Sequence, residues 1–280
     1  MNKKEVEQIL NSFDISVKKK FGQNFLLDQN ILNKIVSTLP NESMKNVIEI
    51  GPGLGFLTKE ITKISSKTVL YEIDDEMVGY LSKQDFPNTT ICNIDVLKIN
   101  VKEEVEKHFN SEFVSLVANL PYYITTAILT KFLTESPNVN KMVVMMQKEV
   151  AQRICGKPKT KDYNALSVFI QYYSNASIAI NVPASCFYPA PEVESSVVLI
   201  ERKEITNKAL NEDAFINFVK DIFSQRRKTL MNNISKTKYS KEVVKSVLEE
   251  LGYSLSVRSE ELSVDQIVNL FNLIYTRTKH

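Results

Sequence analysis

Three glycines occupy alternate positions, Gly51, Gly53 and Gly55, in the segment VIEIGPGLGFLT. They are three of only seven glycines in 280 residues, and they lie between an apolar run, Val47–Ile50, and a segment of helical periodicity, Leu54–Ile64. Glycine at such a junction has a steric purpose: the turn takes up dihedrals that a Cβ disfavours, and a ligand can reach bare backbone at the start of a helix. A strand, a glycine turn and a helix in that order form a βα unit. Such units build parallel sheets covered by helices.

The rest of the chain repeats the pattern. Further β-branched-rich runs fall at Val69–Ile73, Thr90–Cys92, Val114–Ala118 and Met142–Met146, with helical segments such as Thr126–Leu133 between them. Continuous apolar runs suit strands buried on both faces, so the expected class is an α/β fold with a largely parallel sheet. Residues 166–173 (LSVFIQYY) read as a helix. Two more strands are expected at 176–182 and 194–201; the Pro-rich turn between them, 183–191, has no room for a helix, so this pair is expected to be antiparallel. From about residue 205 the signal is purely helical. Ala214, Phe215, Phe218, Val219, Ile222 and Phe223 form one stripe, Gly252 stops the helix over 241–251, and a capping box of Ser263 and Gln266 opens the last helix. Two domains are expected, 1–204 and 205–280.

Composition excludes several kinds of chemistry. Net charge is 35 − 33 = +2, so any basic surface must be local. Cys92, Cys155 and Cys186 form no CxxC pair, and His108 and His280 are the only histidines. A disulfide framework, a cysteine zinc site and a histidine-rich metal site are not expected, and no metal is assigned. The N-terminus, MNKKEVEQILNSFDI, is charged where a signal peptide needs an apolar run, and no stretch of 18 apolar residues occurs. The expectation is a cytoplasmic protein without membrane segments.

The strand after the glycine turn ends in Glu72, 21 positions beyond Gly51, where nucleotide-binding α/β folds place an acid on ribose hydroxyls. Asp74 competes for that role. The spacing G-x-G-x-G, with Pro52 inside it, departs from the G-x-G-x-x-G of dinucleotide sites. A shorter turn preceded by Glu49 suits a ligand without pyrophosphate, such as S-adenosylmethionine; the plain alternative is a tight turn that binds nothing. Asp95, at a carboxyl strand end, can accept from an adenine amine or simply cap a loop.

The tetrad Asn119-Leu120-Pro121-Tyr122 follows the strand 114–118. The lone pair of an exocyclic adenine amine is delocalised into the ring. A site that accepts both N–H groups favours a pyramidal nitrogen with its lone pair aimed at a methyl donor. The Asn119 oxygen and a backbone carbonyl of the Leu120–Pro121 turn can accept in this way, Tyr122 can stack on the base, and Pro121 stiffens the turn. A base reached like this is unpaired or flipped out. Taken alone the tetrad is an ordinary turn; its place after the glycine turn, Glu72 and Asp95 gives it weight.

In its ordered motifs the chain resembles the small-subunit rRNA adenine dimethyltransferases, the kasugamycin-resistance dimethyladenosine transferases. The likeness runs from KKKFGQNFLLDQNIL (18–32) through EIGPGLGFLT, YEID, NIDVLK, NLPYYITTAIL and MMQKEVAQRI. It continues to KDYNALSVFIQYY (161–173), VPASCFYPAPEVESSVV (182–198), FSQRRKTLMNN (223–233) and RSEEL (258–262). The resemblance implies a Rossmann-like class I methyltransferase sheet of seven strands, the last antiparallel, in domain 1–204, and a small all-α rRNA-binding domain, 205–280. It implies S-adenosylmethionine as cofactor, held by Asn24, Leu26, Gly51, Gly53, Glu72, Ile73, Asp95, Val96 and Asn119. Composition alone reads the segment of Asn24 and Leu26, FGQNFLLD, as an amphipathic helix. Catalysis is placed at Asn119, Leu120, Pro121 and Tyr122, with Phe187 of FYPAP as a second aromatic near the base or, equally, a core residue. The implied reaction is dimethylation of two adjacent adenosines near the 3′ end of 16S rRNA within a pre-30S particle, by a monomer.

The sequence departs from the family at Asn164 and Ala165, where Gly and Arg are usual, and at Glu192, where Lys is usual. Three basic runs can meet phosphates: Lys18, Lys19 and Lys20; Lys157, Lys159 and Lys161; and Arg226, Arg227 and Lys228 in a stretch that also holds Lys236 and Lys238. Each run can equally be solvated surface. The nearest rival is the erythromycin-resistance methyltransferase of 23S rRNA; a non-catalytic ribosome-assembly factor is the rival of another class. The glycine spacing disfavours a nicotinamide dehydrogenase, and the short helical segment disfavours a DNA adenine methyltransferase.

Overall fold

The computed structural model describes residues 3–17, 23–234 and 239–278. Its strands are β1 (Phe25–Leu26), β2 (Asn46–Ile50), β3 (Lys67–Glu72), β4 (Thr89–Asn93), β5 (Val114–Asn119), β6 (Val139–Gln147), β7 (Ser174–Val182), β8 (Phe187–Tyr188) and β9 (Ser195–Arg202). The α-helices are α1 (Lys3–Ser12), α2 (Gln29–Val36), α3 (Phe56–Ile61), α4 (Asp75–Leu81), α5 (Val101–Phe109), α6 (Thr125–Glu135) and α7 (Lys148–Ile154), then α8 (Ala165–Tyr173), α9 (Glu212–Ile222), α10 (Leu230–Ile234), α11 (Lys241–Glu250) and α12 (Val264–Thr278). Among the described residues no helix is long and apolar enough to cross a membrane.

Seven strands form one sheet in the order β4–β3–β2–β5–β6–β9–β7. The pairs from β4 to β6 are parallel, and β9 runs antiparallel to β6 from Lys141↔Glu201 to Gln147↔Ser195. Seven strands with the last one antiparallel is the expected architecture. All five residues of β2 are buried, as are five of the six in β3 and in β5. That is why these runs read as unbroken apolar stretches rather than as alternation. The observed strands outlast the apolar cores by a residue or two, because ladder hydrogen bonds continue through Lys67, Asn119 and Gln147.

The strand order fixes where a ligand can sit. From β2 the chain winds outward through β3 to β4, then returns to β5 and winds the other way. The loops leaving the carboxyl ends of β2 and β5 therefore diverge and open a crevice. All three glycines after β2 have positive φ, between +56° and +71°. A Cβ at Gly55 would lie 2.7 Å from Phe86 Cζ and 3.0 Å from Leu81 Cδ2, whereas one at Gly51 would meet nothing within 4 Å. Gly55 is thus needed for packing, and Gly51 faces open space.

The described part of FGQNFLLD, residues 23–28, is not helical. Phe25 and Leu26 pair antiparallel with Tyr188 and Phe187, and Asp28 caps α2 by accepting from the backbone N–H groups of Asn30 (2.9 Å) and Ile31 (3.1 Å). Pairing with a segment more than 150 residues away overrides the local helical pattern.

The chain divides into two compact units, Met1–Ala151 with Ala176–Arg202, and Gln152–Asn175 with Lys203–His280. The chain passes between the units at 151/152, 175/176 and 202/203, so residues 152–175 group with the C-terminal helices instead of with the sheet. Aromatic packing accounts for this. Tyr172 of α8 lies 5.0 Å from Phe215 of α9, and Phe215 and Phe218 lie 5.5 and 5.4 Å from Phe271 of α12. The hydroxyl of Tyr173 donates to Glu212 at 3.1 Å. Ser263 and Gln266 form the expected capping box, with bonds of 2.9 and 3.3 Å, and Gly252 follows α11 at φ +71°.

The glycine turn yields the first test. Gly55→Ala combines left-handed strain with a clash and is expected to destabilise the protein by about 2–4 kcal/mol in urea unfolding. Gly51→Ala carries only the backbone cost, about 1 kcal/mol.

Candidate active site

A cavity of about 280 Å³ opens at the carboxyl edge of the sheet. The segment around β1 brings Asn24 and Leu26 to its wall, and the β2 loop brings Gly51 and Gly53. The β3 end contributes Glu72 and Ile73, the loop after β4 contributes Asp95 and Val96, and β5 contributes Asn119. All nine residues expected at a cofactor therefore line one space, together with Leu120, Pro121 and Tyr122. They lie up to 95 positions apart and converge because four successive parallel strands end on the same edge.

The acids divide the work between them. Glu72 Oε1 accepts from the N–H groups of Ile73 (2.8 Å) and Asp74 (2.9 Å), and Oε2 accepts from Gly53 N–H (3.2 Å). Burial raises its pKa, and these bonds oppose the rise. Asp74, the rival, is turned to other tasks: it accepts from Gln23 Nε2 at 2.8 Å and caps α4 through Glu76 N–H at 3.2 Å. Glu72 lines the cavity and Asp74 does not. Asp95 fulfils its structural alternative as well, accepting from Leu97 N–H at 3.0 Å while still lining the cavity.

Glu49 also lines the cavity. It is 1% exposed and accepts from Thr58 Oγ1 at 2.7 Å. Burial, which outweighs the Thr58 bond and is reinforced by the charge of Glu72, pushes its pKa up to about 8. A buried, strongly perturbed acid in a crevice is a functional candidate. The sequence reading uses it only as the residue before the turn; its position at the buried end of β2 was the available signal.

The tetrad is held from three sides. Asn119 Nδ2 donates to the Asn24 carbonyl at 3.1 Å, which fixes the amide orientation and leaves Oδ1 as its acceptor. Leu120 N–H donates to the Met145 carbonyl at 3.2 Å. The Pro121 carbonyl is taken up by Ile124 N–H (3.2 Å) and Thr125 Oγ1 (3.1 Å), whereas among the described residues no hydrogen bond occupies the Leu120 carbonyl. The hydroxyl of Tyr122 shares a hydrogen bond with Ser195 Oγ at 2.9 Å. The rim holds exposed apolar surface that the sequence reading missed, Ile94 and Tyr123, the latter 63% exposed. The Tyr-Tyr doublet was its only sequence signal.

Compared with known proteins, the chain matches the profile of the family described as "Ribosomal RNA adenine dimethylase" over residues 15–276. The chain belongs to that family. A relative, Ribosomal RNA small subunit methyltransferase A of Bacillus cytotoxicus, is 42% identical over 276 residues, 96% of this chain and 94% of the relative. The fold is shared with a dimethyladenosine transferase from Plasmodium falciparum (TM-score 0.75, 24% identity, 91% of this chain and 98% of that one). It is also shared with the 23S rRNA methyltransferase ErmE (TM-score 0.66, 23% identity, 90% of this chain and 99% of that one).

Other residues expected of a dimethylase fall elsewhere. Phe187 is 5% exposed, pairs with Leu26 and belongs to the core around Ile31, Leu32 and Val197; it does not line the cavity. Alternation along the β1–β8 pair turns its ring into the core. Arg226 is partly engaged, its Nε donating to Glu260 at 2.9 Å and a terminal nitrogen to the Thr160 carbonyl at 3.3 Å, while its side chain stays half exposed. That brace ties the exposed loop of Lys157, Lys159 and Lys161 to the segment of Arg227 and Lys228, which are exposed. Lys18, Lys19, Lys20, Lys236 and Lys238 lie outside the described residues. Asn164 caps α8 in a capping box with Ser167, and Glu192 is exposed.

Glu49 sets a pH dependence. Its folded pKa is raised, so its contribution to stability is full below the unfolded value near 4.5 and is lost as pH rises towards about 8. Urea unfolding between pH 5 and pH 8.5 is expected to show this decline, and Glu49→Gln to flatten it and to raise stability at the alkaline end.

Proposed function

We propose that this protein is an S-adenosylmethionine-dependent enzyme that dimethylates the N6 amines of two adjacent adenosines near the 3′ end of 16S rRNA. On this reading it acts on the pre-30S particle in the cytoplasm, as a monomer and without a metal in the reaction. The observation that carries the reading is the pair of unoccupied acceptors at the head of the tetrad, Asn119 Oδ1 and the Leu120 carbonyl.

The cavity fits the donor. Gly51 leaves open space where a Cβ would stand, Glu72 and Asp95 face the cavity as hydrogen-bond acceptors, and Ile73 and Val96 offer apolar surface. Glu49 offers a carboxyl group that a cationic amino group beside it would hold ionised. When bound, S-adenosylmethionine supplies an electrophilic methyl group on a sulfonium that departs as a neutral thioether.

The tetrad acts on the other reactant. Asn119 Oδ1 and the Leu120 carbonyl accept the two N–H groups of the target amine and so favour a pyramidal nitrogen with an available lone pair. Tyr122 offers its ring to the base while Ser195 fixes the ring's angle through the hydroxyl. The dimethylated product follows from the same geometry, because a monomethylated amine still has one N–H to donate. Arg227, Lys228 and the loop lysines Lys157, Lys159 and Lys161 supply phosphate contacts, with Lys18, Lys19 and Lys20 as a further candidate set, and Arg226 supports them from within.

The choice of small-subunit RNA over 23S rRNA rests on the name of the 42% identical relative and on the FYPAP, SQRRKTL and RSEEL blocks. Labelled donor with 30S particles that lack the modification is expected to give about four methyl groups per particle. Asn119→Ala is expected to lower the rate at least about 100-fold, the scale of losing one preorganised transition-state contact. Label on naked 23S rRNA instead would reassign the substrate. Donor binding without transfer to either RNA would favour the assembly-factor reading.

A further inference from the structure

Cys92 on β4 and Glu104 and His108 on α5 converge on one point, and none of the three lines the cavity. The sequence reading assigns no metal because Cys92 has no CxxC partner and histidine is scarce. The fold supplies the other two ligands from 12 and 16 positions further along. Glu104 and His108 are four residues apart and share one helix face. Cys92 lies opposite Tyr71 in the β3–β4 ladder.

The Cys92 sulfur, a carboxylate oxygen and an imidazole nitrogen all lie within 4.8 Å of one another. His108 Nε2 is buried and stands 3.3 Å from Glu104 Oε2, but among the described residues it makes no well-aligned hydrogen bond. Zinc bonds of about 2.0–2.3 Å at tetrahedral angles put ligand atoms roughly 3.3–3.8 Å apart. The imidazole–carboxylate spacing of 3.3 Å already matches, and the Cys92 sulfur lies within 4.8 Å of both.

The electrostatics leave room for a cation. All three converging groups carry electron pairs. Only Glu104 receives protons from neighbours, from the Tyr71 hydroxyl at 2.7 Å on Oε2 and from Lys107 at 3.3 Å on Oε1. Those bonds hold Glu104 below the usual carboxylate range despite partial burial. A neutral imidazole offers a lone pair to a cation. A metal-bound Cys92 is a thiolate, so binding releases its proton.

We propose that Cys92, Glu104 and His108 form a three-ligand site for a zinc-class divalent cation, with the fourth position left to water. Thiolate and imidazole select zinc or cobalt over magnesium or calcium. The ligands flank the loop that carries Ile94, Asp95, Val96 and Leu97 to the cavity, so the ion acts as a clamp joining β4 to α5 across that loop. The site is independent of the methyl-transfer reading.

The test is titration of the full-length, reduced, metal-free protein with Co²⁺. A sulfur-to-cobalt charge-transfer band with four-coordinate ligand-field bands is expected, reversed by Zn²⁺. Cys92→Ser should abolish the charge-transfer band. His108→Gln should weaken binding by at least the roughly 10–100-fold that loss of an outer-shell partner costs. Cys155→Ser and Cys186→Ser should leave the spectrum unchanged. Circular dichroism and the urea midpoint of each variant separate loss of a ligand from loss of the fold. Absence of a charge-transfer band at saturating Co²⁺, or a band of equal intensity in folded Cys92→Ser protein, overturns the site.

Discussion

One carboxylate holds the carboxyl edge of the sheet together. Glu72 accepts from Gly53 in the loop after β2 and from Ile73 and Asp74 in the loop after its own strand. A buried anion is costly unless its lone pairs are used, and here the partners are backbone N–H groups that would otherwise be orphaned in two tight turns. The parallel register, with Ile50 opposite Tyr71, brings those loops to the right separation. Shape and charge in the cavity thus follow from the ladder: move the register by one residue and Glu72 faces the other side of the sheet.

The same logic explains what was legible. The buried strands β2, β3 and β5 announce themselves as apolar runs, and their carboxyl ends, read off the sequence, are where Gly51, Glu72 and Asn119 lie; Asp95 follows the half-exposed edge strand β4. The choice between Glu72 and Asp74 was not legible. Both are acids at one strand end, and only the capping demand of α4 and the reach of Gln23 draw Asp74 away. The β1–β8 pair was equally hidden, because its partners are distant in sequence and each is two residues long. Phe187 depends on that pair, so its burial could not be read before the pair was known. The grouping of residues 152–175 with the C-terminal helices rests on ring contacts of Tyr172 and Phe215 that no local period encodes.

Polar residues in motifs misled for a related reason: residue type does not name a partner. Asn164 satisfies the first turn of α8, accepting from Leu166 N–H at 2.8 Å and Ser167 N–H at 3.3 Å. Arg226 reads as a phosphate ligand, yet two of its nitrogens are bonded to Glu260 and a carbonyl. An exposed ion pair of this kind adds little stability by itself. Its value is positional, since it sets the lysine loop against the segment that leaves Arg227 and Lys228 exposed.

The tetrad contains no group able to act as a base, and this constrains how it can work. Asn119 does not titrate. Tyr122 has its pKa raised by burial, with only the Ser195 bond opposing, so its hydroxyl stays protonated and is engaged away from the acceptors. His108 belongs to another cluster. What remains is two fixed carbonyl oxygens, an aromatic face and a stiff prolyl turn. Such a set can orient a neutral amine and redistribute its electron density, but it cannot remove a proton in advance. On the proposed assignment of the tetrad, catalysis therefore comes from alignment of nucleophile and methyl group, a contribution worth several kcal/mol when the geometry is preset. That geometry is preset by the Asn119–Asn24 bond, which joins the end of β5 to the segment beside β1 and makes the orientation of one amide depend on the pairing of β1 with β8.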